Sequence, residues 1–170
     1  MKKADLLYGV SFASAGSGYD DLTANLSVMN SLGATRLVVV GVPPLGCMPL
    51  VKTIMGENKC VGTYNKVAFS FSSKIKGKLA TLKASLRMKT AFVDAYGVME
   101  SAINRPQRYG IVETSKGCCG TGTIEYGDTC RGLRTCNDPT KYVFWDAVHP
   151  TEKMYKILAE EALKSLIGNV

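Results

Sequence analysis

The chain of 170 residues is 46% hydrophobic and 21% charged, and its formal net charge is +7. This length fits one domain with a proper core, and the apolar content excludes intrinsic disorder. No apolar run reaches the roughly 18 residues of a membrane-spanning helix. The segment Lys52–Lys89 contains nine basic residues and one acid, and we interpret it as a solvated basic face of a helix rather than a nucleic-acid site.

The amino-terminal part of the chain contains two predicted strands. Tyr8–Ser14 is typical of a short strand, and the turn Ala15–Gly18 follows it with two glycines that permit positive φ. A weak helix is predicted for Asp20–Asn30. The valine-rich run Leu37–Val42 predicts a strand buried on both faces, as in a parallel sheet, and two prolines end it. The first residues resemble a secretion signal only faintly, because polar residues interrupt the apolar run.

The longest predicted helix comes next and is amphipathic. It spans about Thr63–Arg87, and six apolar residues from Val67 to Leu86 recur at steps of three and four. Thr90–Tyr96 is the following strand, and Val98–Asn104 is a short helix. A strand, an amphipathic helix and a second strand form a right-handed βαβ unit, so the sequence predicts an α/β fold.

The segment Tyr109–Thr140 loses this periodicity and is rich in glycine, threonine and cysteine, which predicts an irregular loop. Its adjacent cysteines do not match the CxxC spacing of a zinc knuckle, and a single histidine cannot complete a mixed site. We therefore interpret the cysteines as disulfides formed in an oxidising compartment. A bond between the first two and two bonds within the loop are favoured, and the loop pairing stays open. The six candidates are Cys47, Cys60, Cys118, Cys119, Cys130 and Cys136.

The stretch from Phe144 to Glu152 holds the only tryptophan and the only histidine of the chain. Asp146 precedes His149 by three residues. Among side chains, only histidine ordinarily titrates near neutral pH, and a neighbouring carboxylate fixes the imidazole tautomer. This DxxH loop therefore supplies a general base and the acid that orients it, two of the three parts of a nucleophilic hydrolase. Thr151 is then the predicted cap of a final amphipathic helix.

Four stretches of the sequence resemble the plant GDSL esterase/lipase family, a branch of the SGNH hydrolases. The resemblance implies an incomplete flavodoxin-like α/β/α sandwich with a disulfide-rich loop, a single domain over residues 1–170, and hydrolysis of small carboxylic esters or lipids without cofactor or metal. It also implies secretion, and it leaves the oligomeric state open. The stretches are GVSFASAGSGYDDLT (Gly9–Thr23), LGATRLVVVGVPPLGCMP (Leu32–Pro49), GCCGTG (Gly117–Gly122) and YVFWDAVHPTE (Tyr142–Glu152).

The resemblance also implies roles for particular residues. His149 matches the general base of the family, and Asp146 matches the residue that orients its imidazole. A family glycine whose backbone N–H helps to form the oxyanion hole falls within Ala15–Gly18, at Gly16 or, as the alternative, at Gly18. A residue without a side chain lets the developing oxyanion approach the main chain.

Two blocks of the family pattern have no match in the sequence. No Gly-Asp-Ser nucleophile block occurs, and the single Gly-Asp pair, Gly127-Asp128, lies in the cysteine loop. The asparagine of the GxND block is also without a match. We therefore expect an amino-terminal strand and an internal segment around residues 20–31 to be missing, so that only strands two, four and five of the family sheet remain.

The sequence thus predicts a chain that descends from ester hydrolases but lacks the nucleophile, and we expect this chain to be inactive. Ser14 and Ser17 lie at the end of a predicted strand, but the matching family residues are not nucleophiles, and a disulfide explains Cys47 better than catalysis does. The alternative is a non-catalytic secreted protein that binds full-length relatives or cell-wall polymers. A third possibility is a fragment that does not fold stably.

Overall fold

The computed structural model describes residues 33–86 and 89–167, and the predicted strand Tyr8–Ser14 and helix Asp20–Asn30 lie outside them. The described strands are β1 (Arg36–Val40), β2 (Lys89–Val93), β3 (Glu113–Gly117) and β4 (Tyr142–Phe144). The helices are α1 (Pro49–Ile54), α2 (Gly62–Leu86), α3 (Ala95–Asn104) and α4 (Glu152–Ile167). Short 3-10 helices cover Leu45–Cys47, Pro106–Tyr109, Gly127–Cys130 and Pro139–Lys141.

Strands β1 and β2 pair in parallel, and helix α2 connects them. Arg36 lies opposite Lys89, and Val40 lies opposite Val93. The N–H of Gly41 extends the ladder by donating to the carbonyl of Val93 at 2.9 Å. The predicted α/β class and the predicted pairing of these two strands are confirmed.

Strand β1 is buried on one face, so the prediction of burial on both faces is wrong. Val39 is buried, but Val38 is 43% exposed and Val40 is 51% exposed. Alternate side chains of a strand point to opposite faces of the sheet. A continuous apolar run is compatible with burial of both faces of a strand. In the described part of the chain, only the face that carries Val39 is buried.

Over its first half, helix α2 buries a different face from the one that its apolar residues predict. Val67 and Phe71 are 67% and 42% exposed, whereas Ala68 and Ser72 are buried. Leu79, which belongs to the predicted stripe, is buried as the sequence predicts. The structure describes the backbone but not the side chains at positions 82 and 86, which end the predicted stripe. The predicted stripe is therefore wrong over the first half of the helix.

Hydrogen bonds to the chain that follows β1 explain which face of α2 turns inward. Ser72 Oγ accepts the N–H of Val42 at 3.0 Å, and Asn65 Oδ1 accepts the N–H of Gly46 at 2.8 Å. Positions 65, 68, 72 and 79 are at helical spacing and share one face. A Cβ on Gly46 would collide with the carbonyl oxygen of Val61, so the loop and the helix approach closely. Small and polar side chains permit that approach, and hydrophobic periodicity does not detect them.

A second parallel pair, β3 and β4, lies partly where the sequence predicts an irregular loop. Glu113 is opposite Tyr142 and Gly117 is opposite Phe144, with an irregular register between them. Strand β3 has the sequence ETSKG, whose polar residues and glycine have little preference for strands. Pairing with β4, which is distant in sequence, stabilises the extended conformation.

The hydrophobic core of the described residues joins α3, β4 and α4. Asp94 caps α3 by accepting the N–H of Gly97 at 2.9 Å, and Thr151 precedes α4, with its Oγ1 accepting the N–H of Met154 at 3.4 Å, as the sequence predicts. Within residues 33–86 and 89–167, none of the helices has the length and apolar character that would let it cross a membrane. The core cluster consists of Met99, Ala102, Ile111, Val143, Phe144 and Met154.

Candidate active site

The DxxH loop is anchored at both ends in the hydrophobic core. Phe144 at the end of β4 and Met154 in the first turn of α4 are fully buried. Between them the loop closes on itself, because the N–H of Trp145 donates to the carbonyl of His149 at 2.8 Å. Thr151 joins the far end of the loop to β4, with its N–H donating to the carbonyl of Val143 at 2.9 Å. The loop is therefore a fixed platform for its side chains.

Asp146 and His149 face each other on this platform. His149 Nδ1 lies 2.8 Å from Asp146 Oδ2, a hydrogen-bonding distance. The Asp146 side chain is only 2% exposed, whereas that of His149 is 51% exposed. The carboxylate is thus enclosed and holds one ring nitrogen, while the other side of the imidazole is open to solvent.

The carboxylate of Asp146 is surrounded by N–H donors. Oδ1 accepts the backbone N–H groups of Val148 at 2.8 Å and His149 at 2.6 Å, and Oδ2 also accepts the N–H of Gly127 at 3.0 Å. Burial by itself would raise the pKa of Asp146, but the hydrogen bonds from His149, Gly127 and Val148 together hold that pKa below its ordinary value. Asp146 therefore stays ionised at neutral pH, as an acid that orients an imidazole must.

The cysteine loop packs against the DxxH loop through its backbone. The N–H groups of Cys118 and Cys119 donate to the carbonyl of Trp145 at 2.8 and 2.9 Å. The N–H of Ala147 donates to the carbonyl of Glu125 at 2.8 Å. Two disulfides close the cysteine loop, Cys118–Cys136 and Cys119–Cys130. A segment without regular secondary structure is in this way given a defined shape at the site.

The third disulfide joins Cys47 to Cys60, the pair that the sequence favours. It lies beside α1, whose Leu50 donates its N–H to the carbonyl of Ala147 at 2.9 Å. All six cysteines are at described positions and none is free. No thiol is therefore available as a nucleophile or a metal ligand, which removes Cys47 as a candidate nucleophile.

An apolar groove of about 530 Å³ opens beside the exposed edge of His149. Trp145 and Tyr155 contribute aromatic rings that are 37% and 51% exposed. Burial raises the pKa of Tyr155, and the negative charge of Asp146 raises it further. The groove could accept a flat or apolar group next to the imidazole. Its lining residues are Pro139, Trp145, His149, Pro150, Glu152 and Tyr155.

Comparison with known proteins gives the family. The family model described as GDSL-like Lipase/Acylhydrolase matches residues 8–162. The chain belongs to this family. The GDSL esterase/lipase At5g45950 of Arabidopsis thaliana is 39% identical over 244 aligned residues, which cover 98% of this chain and 68% of that protein.

Two further GDSL esterase/lipases of Arabidopsis thaliana match shorter regions. At1g06990 is 36% identical over 75% of this chain, and At3g14820 is 37% identical over 79% of it. These matches cover 37% and 40% of the two relatives. The chain thus spans well under half the length of these two GDSL relatives.

The structure brings together some of the residues that the GDSL resemblance singles out. Asp146 and His149 are in contact, as described above. The oxyanion-hole candidates Gly16 and Gly18, like the serines at positions 14 and 17, lie outside the described residues. Among the described residues His149 Nε2 makes no hydrogen bond, and no group of three His, Cys, Asp or Glu side chains is placed to hold a metal.

Two residues that support the site are not predicted from the sequence. Gly127 contacts Asp146 across nineteen residues of sequence, and the carbonyl of Glu125 holds the backbone of Ala147. Gly127 has φ of +54°, a conformation that favours glycine. The Gly-Asp pair at this position indicates a turn, but no signal in the sequence predicts that the turn lies on Asp146.

Proposed function

We propose that this chain carries the acid–base half of a GDSL-type carboxylic ester hydrolase site and does not itself turn over esters. His149 is the general base, and Asp146 orients its imidazole. The observation that carries this proposal is the 2.8 Å contact between His149 Nδ1 and Asp146 Oδ2, with the carboxylate buried and the ring half-exposed. The half-exposed ring leaves room at Nε2 for a reacting group.

The geometry supports a defined proton-transfer role. The ionised Asp146 accepts the Nδ1–H of neutral His149, so the lone pair of the imidazole lies on Nε2. Nε2 can then take a proton from an attacking hydroxyl and return it to the departing alcohol of the ester. Asp146 stabilises the imidazolium that forms between these two steps. Both steps require a hydroxyl nucleophile beside Nε2.

Several observations support the absence of that nucleophile. The sequence has no Gly-Asp-Ser block, and every cysteine is in a disulfide. The match to At5g45950 extends over 244 aligned residues, more than the 170 residues of this chain, which supports a missing internal segment. We propose a single, incomplete GDSL domain over residues 1–170. Removing the nucleophile of a triad leaves only the small activity that substrate binding and oxyanion donors provide.

The family supports a class of substrate, and the disulfides support a cellular location. Relatives are named esterase/lipases, which supports an ester or lipid as the ligand of the site. Three disulfides support synthesis in an oxidising compartment and secretion. The contact between the base and its orienting acid needs no metal or organic cofactor.

Hydrolysis of p-nitrophenyl acetate and p-nitrophenyl butyrate tests the proposal. The purified chain and a His149→Ala variant are expected to give the same low rate. A rate clearly above that of His149→Ala, or labelling of Ser14 or Ser17 by a fluorophosphonate that depends on His149, would show that a nucleophile is present.

The pairing of Asp146 and His149 has its own test. Because the chain has one histidine, its ¹⁵N resonances are unambiguous. The neutral ring is expected to carry its proton on Nδ1 in the wild type and to lose that preference in Asp146→Asn, whose amide can donate to the ring as well as accept from it. The same tautomer in both proteins would contradict the roles given to the pair.

A second candidate function is binding without catalysis, which the aromatic groove beside His149 favours. The exposed rings of Trp145, on the DxxH loop, and Tyr155, in α4, are suited to stacking on the sugar rings of a cell-wall polymer. Trp145 is the only tryptophan, so its fluorescence reports on the groove directly. A saturable change in emission with cellohexaose, lost in Tyr155→Ala, supports this function, whereas unchanged emission at millimolar cellohexaose contradicts it.

A further inference from the structure

We propose that Gly127 is a positioning residue for the pair formed by Asp146 and His149, and that the Cys119–Cys130 disulfide holds Gly127 in place. The inference rests on the roles proposed for the pair. Gly127 does not contact the imidazole. It acts through the carboxylate that orients the imidazole.

The N–H of Gly127 is the donor that ties Asp146 to a distant part of the chain. Two donors to Oδ1, the N–H groups of Val148 and His149, come from the same loop and move with Asp146. The N–H of Gly127 comes from nineteen residues away and reaches Oδ2 at 3.0 Å. Oδ2 is also the atom that contacts His149 Nδ1. Gly127 thus fixes the oxygen that holds the base.

Local geometry leaves the N–H of Gly127 free to make this contact. Gly127 is the first residue of the 3-10 helix Gly127–Cys130, and the first N–H groups of a helix have no partner within it. The turn is closed by Thr129, whose Oγ1 accepts the N–H of Tyr126 at 2.8 Å and donates to its carbonyl at 2.8 Å. Gly127 has a positive φ of +54°, which favours glycine, and in this conformation its N–H reaches Asp146 Oδ2.

The disulfide holds this turn against the site. Cys130 ends the 3-10 helix, and Cys119 is fully buried with its N–H on the carbonyl of Trp145. The bond between them therefore joins the turn that carries Gly127 to the backbone next to Asp146. Without it, the segment around Gly127 is held near Asp146 only by hydrogen bonds, among them the one from the N–H of Ala147 to the carbonyl of Glu125, and the N–H of Gly127 can leave Oδ2.

The expected consequence is a change in the tautomer of His149. When Gly127 donates to Oδ2, this oxygen is fixed as the acceptor for Nδ1–H, and Nε2 keeps its lone pair. When the N–H of Gly127 is removed, Oδ1 keeps its two backbone donors, but Oδ2 loses its only backbone donor, so the contact with Nδ1 loosens and the imidazole can carry its proton on either nitrogen. A base with its proton on Nε2 cannot accept a proton from a nucleophile there.

Two glycines of the cysteine loop give a matched comparison. Gly127 and Gly132 both have positive φ, +54° and +75°, and a Cβ at either meets no atom within 4 Å. Proline at either position removes an N–H and imposes negative φ. Of the two glycines, Gly127 is the one that donates to Asp146. Gly127→Pro is expected to lower the fraction of Nδ1–H tautomer roughly two-fold or more, and Gly132→Pro to leave it unchanged.

Two disulfide variants test the role of the covalent bond. Cys119→Ala/Cys130→Ala and Cys47→Ala/Cys60→Ala each remove one bond, with sequence separations of 11 and 13. The tautomer is expected to change in the first variant only. An unchanged tautomer in the first variant would overturn the role given to the bond, whereas the glycine pair tests the role of Gly127 whether or not this variant folds.

The outcomes separate this inference from the proposed function. Equal tautomer populations in Gly127→Pro, Gly132→Pro and wild type would overturn the positioning role and leave the pairing intact. An unchanged tautomer in Asp146→Asn would overturn the proposed pairing itself. A change in both proline variants would show that loop strain, rather than the contact to Asp146, is responsible, and would also overturn the positioning role.

Discussion

Gly117 lies against the backbone of Asp146 so closely that a Cβ on Gly117 would be 2.6 Å from the carbonyl carbon and oxygen of Asp146. The contact joins the end of β3 to the centre of the DxxH loop. Backbone atoms cannot rotate away as a side chain can, so only glycine is compatible with this packing. The GCCG stretch is therefore part of the site through the absence of a side chain as well as through its cysteines.

Gly117→Ala is expected to displace the DxxH loop and destabilise the protein by about 1–3 kcal/mol, the usual cost of overpacking. Urea denaturation measures the loss. Gly77→Ala is the control, because Gly77 lies inside α2 and a Cβ there meets no atom within 4 Å. This control should be about 0.5–1 kcal/mol more stable than wild type. Equal stabilities for Gly117→Ala and wild type would contradict the close contact.

Asp146→Asn should lower stability in a pH-dependent manner. The pKa of Asp146 in the folded protein is below its ordinary value of 3.8, in spite of burial, because backbone N–H groups and His149 donate to the carboxylate. A lowered folded pKa stabilises the protein above the unfolded pKa, and this stability is lost as pH falls through the folded pKa. The difference in unfolding free energy between wild type and variant should therefore be largest near neutral pH and shrink below pH 3.8.

Urea denaturation at several pH values gives this difference. Asp128→Asn serves as the control, because Asp128 is in the same cysteine loop and its side chain is 87% exposed in an ion pair with Arg131. Exposed ion pairs contribute little to stability. A difference for Asp146→Asn that stays constant down to the most acidic condition would contradict the depressed pKa.

Lys52→Met should be tolerated at neutral pH. Lys52 is buried in α1, and its ammonium donates to the carbonyl of Ser115 at 3.0 Å. Burial lowers the pKa of Lys52 below 10.5, against the charge of Glu113, which raises it. Because the folded protein disfavours the charged form, the lost hydrogen bond, worth about 1 kcal/mol, is offset by relief of a buried charge.

The same variant has a distinctive pH dependence. A folded pKa below the unfolded one means that wild type gains stability as pH rises from the folded pKa towards 10.5, whereas Lys52→Met does not. Chemical denaturation between neutral and alkaline pH measures the gain relative to the variant. Lys66→Met, at an exposed position of α2, is the matched control for the loss of one lysine side chain. A stability difference for Lys52→Met that is independent of pH would count against this account.

Thr121→Val should raise the pKa of Glu125. The Thr121 hydroxyl donates to Glu125 Oε2 at 2.7 Å, and this bond with backbone N–H groups lowers the pKa of Glu125 to about 2. Without the hydroxyl, the pKa should move towards 4.5. The carboxyl ¹³C shift of Glu125 followed against pH measures it, and Thr129→Val in the same loop is the control. An unmoved midpoint in Thr121→Val would exclude this hydroxyl as the cause.

The sequence predicts the parts of the fold that depend on periodic local patterns. Strands Leu37–Val42 and Thr90–Tyr96 and the helix between them appear as β1, β2 and α2, with ends shifted by a few residues. The buried face of α2 is not predictable in this way, because Ser72 is selected by a hydrogen bond and Ala68 by its small size. Strand β3 pairs with β4, which is distant in sequence, and a local pattern does not reveal this pairing.

The sequence predicts the DxxH motif of the candidate site but not the residues that hold this motif in place. The DxxH spacing and the family resemblance are enough to identify Asp146 and His149 from the sequence. Gly127 and Gly117 contact Asp146 from segments that are far apart from it in sequence. The presence of a glycine in a sequence does not indicate which residues it packs against, so these contacts could not be predicted. The pairing of the four loop cysteines likewise depends on geometry that spacing does not specify.

The adjacent position of Cys118 and Cys119 has a consequence for how the protein matures. Their correct partners are Cys136 and Cys130, and exchanging the two partners shifts each bond by only one residue. Thiolate attack can interconvert such isomers, so both are accessible while the chain oxidises. Only the correct isomer allows the backbone contacts described above to form. Chains that first form the wrong isomer therefore need disulfide reshuffling as well as oxidation, and material oxidised without an isomerase should contain misconnected chains whose histidine lacks its partner.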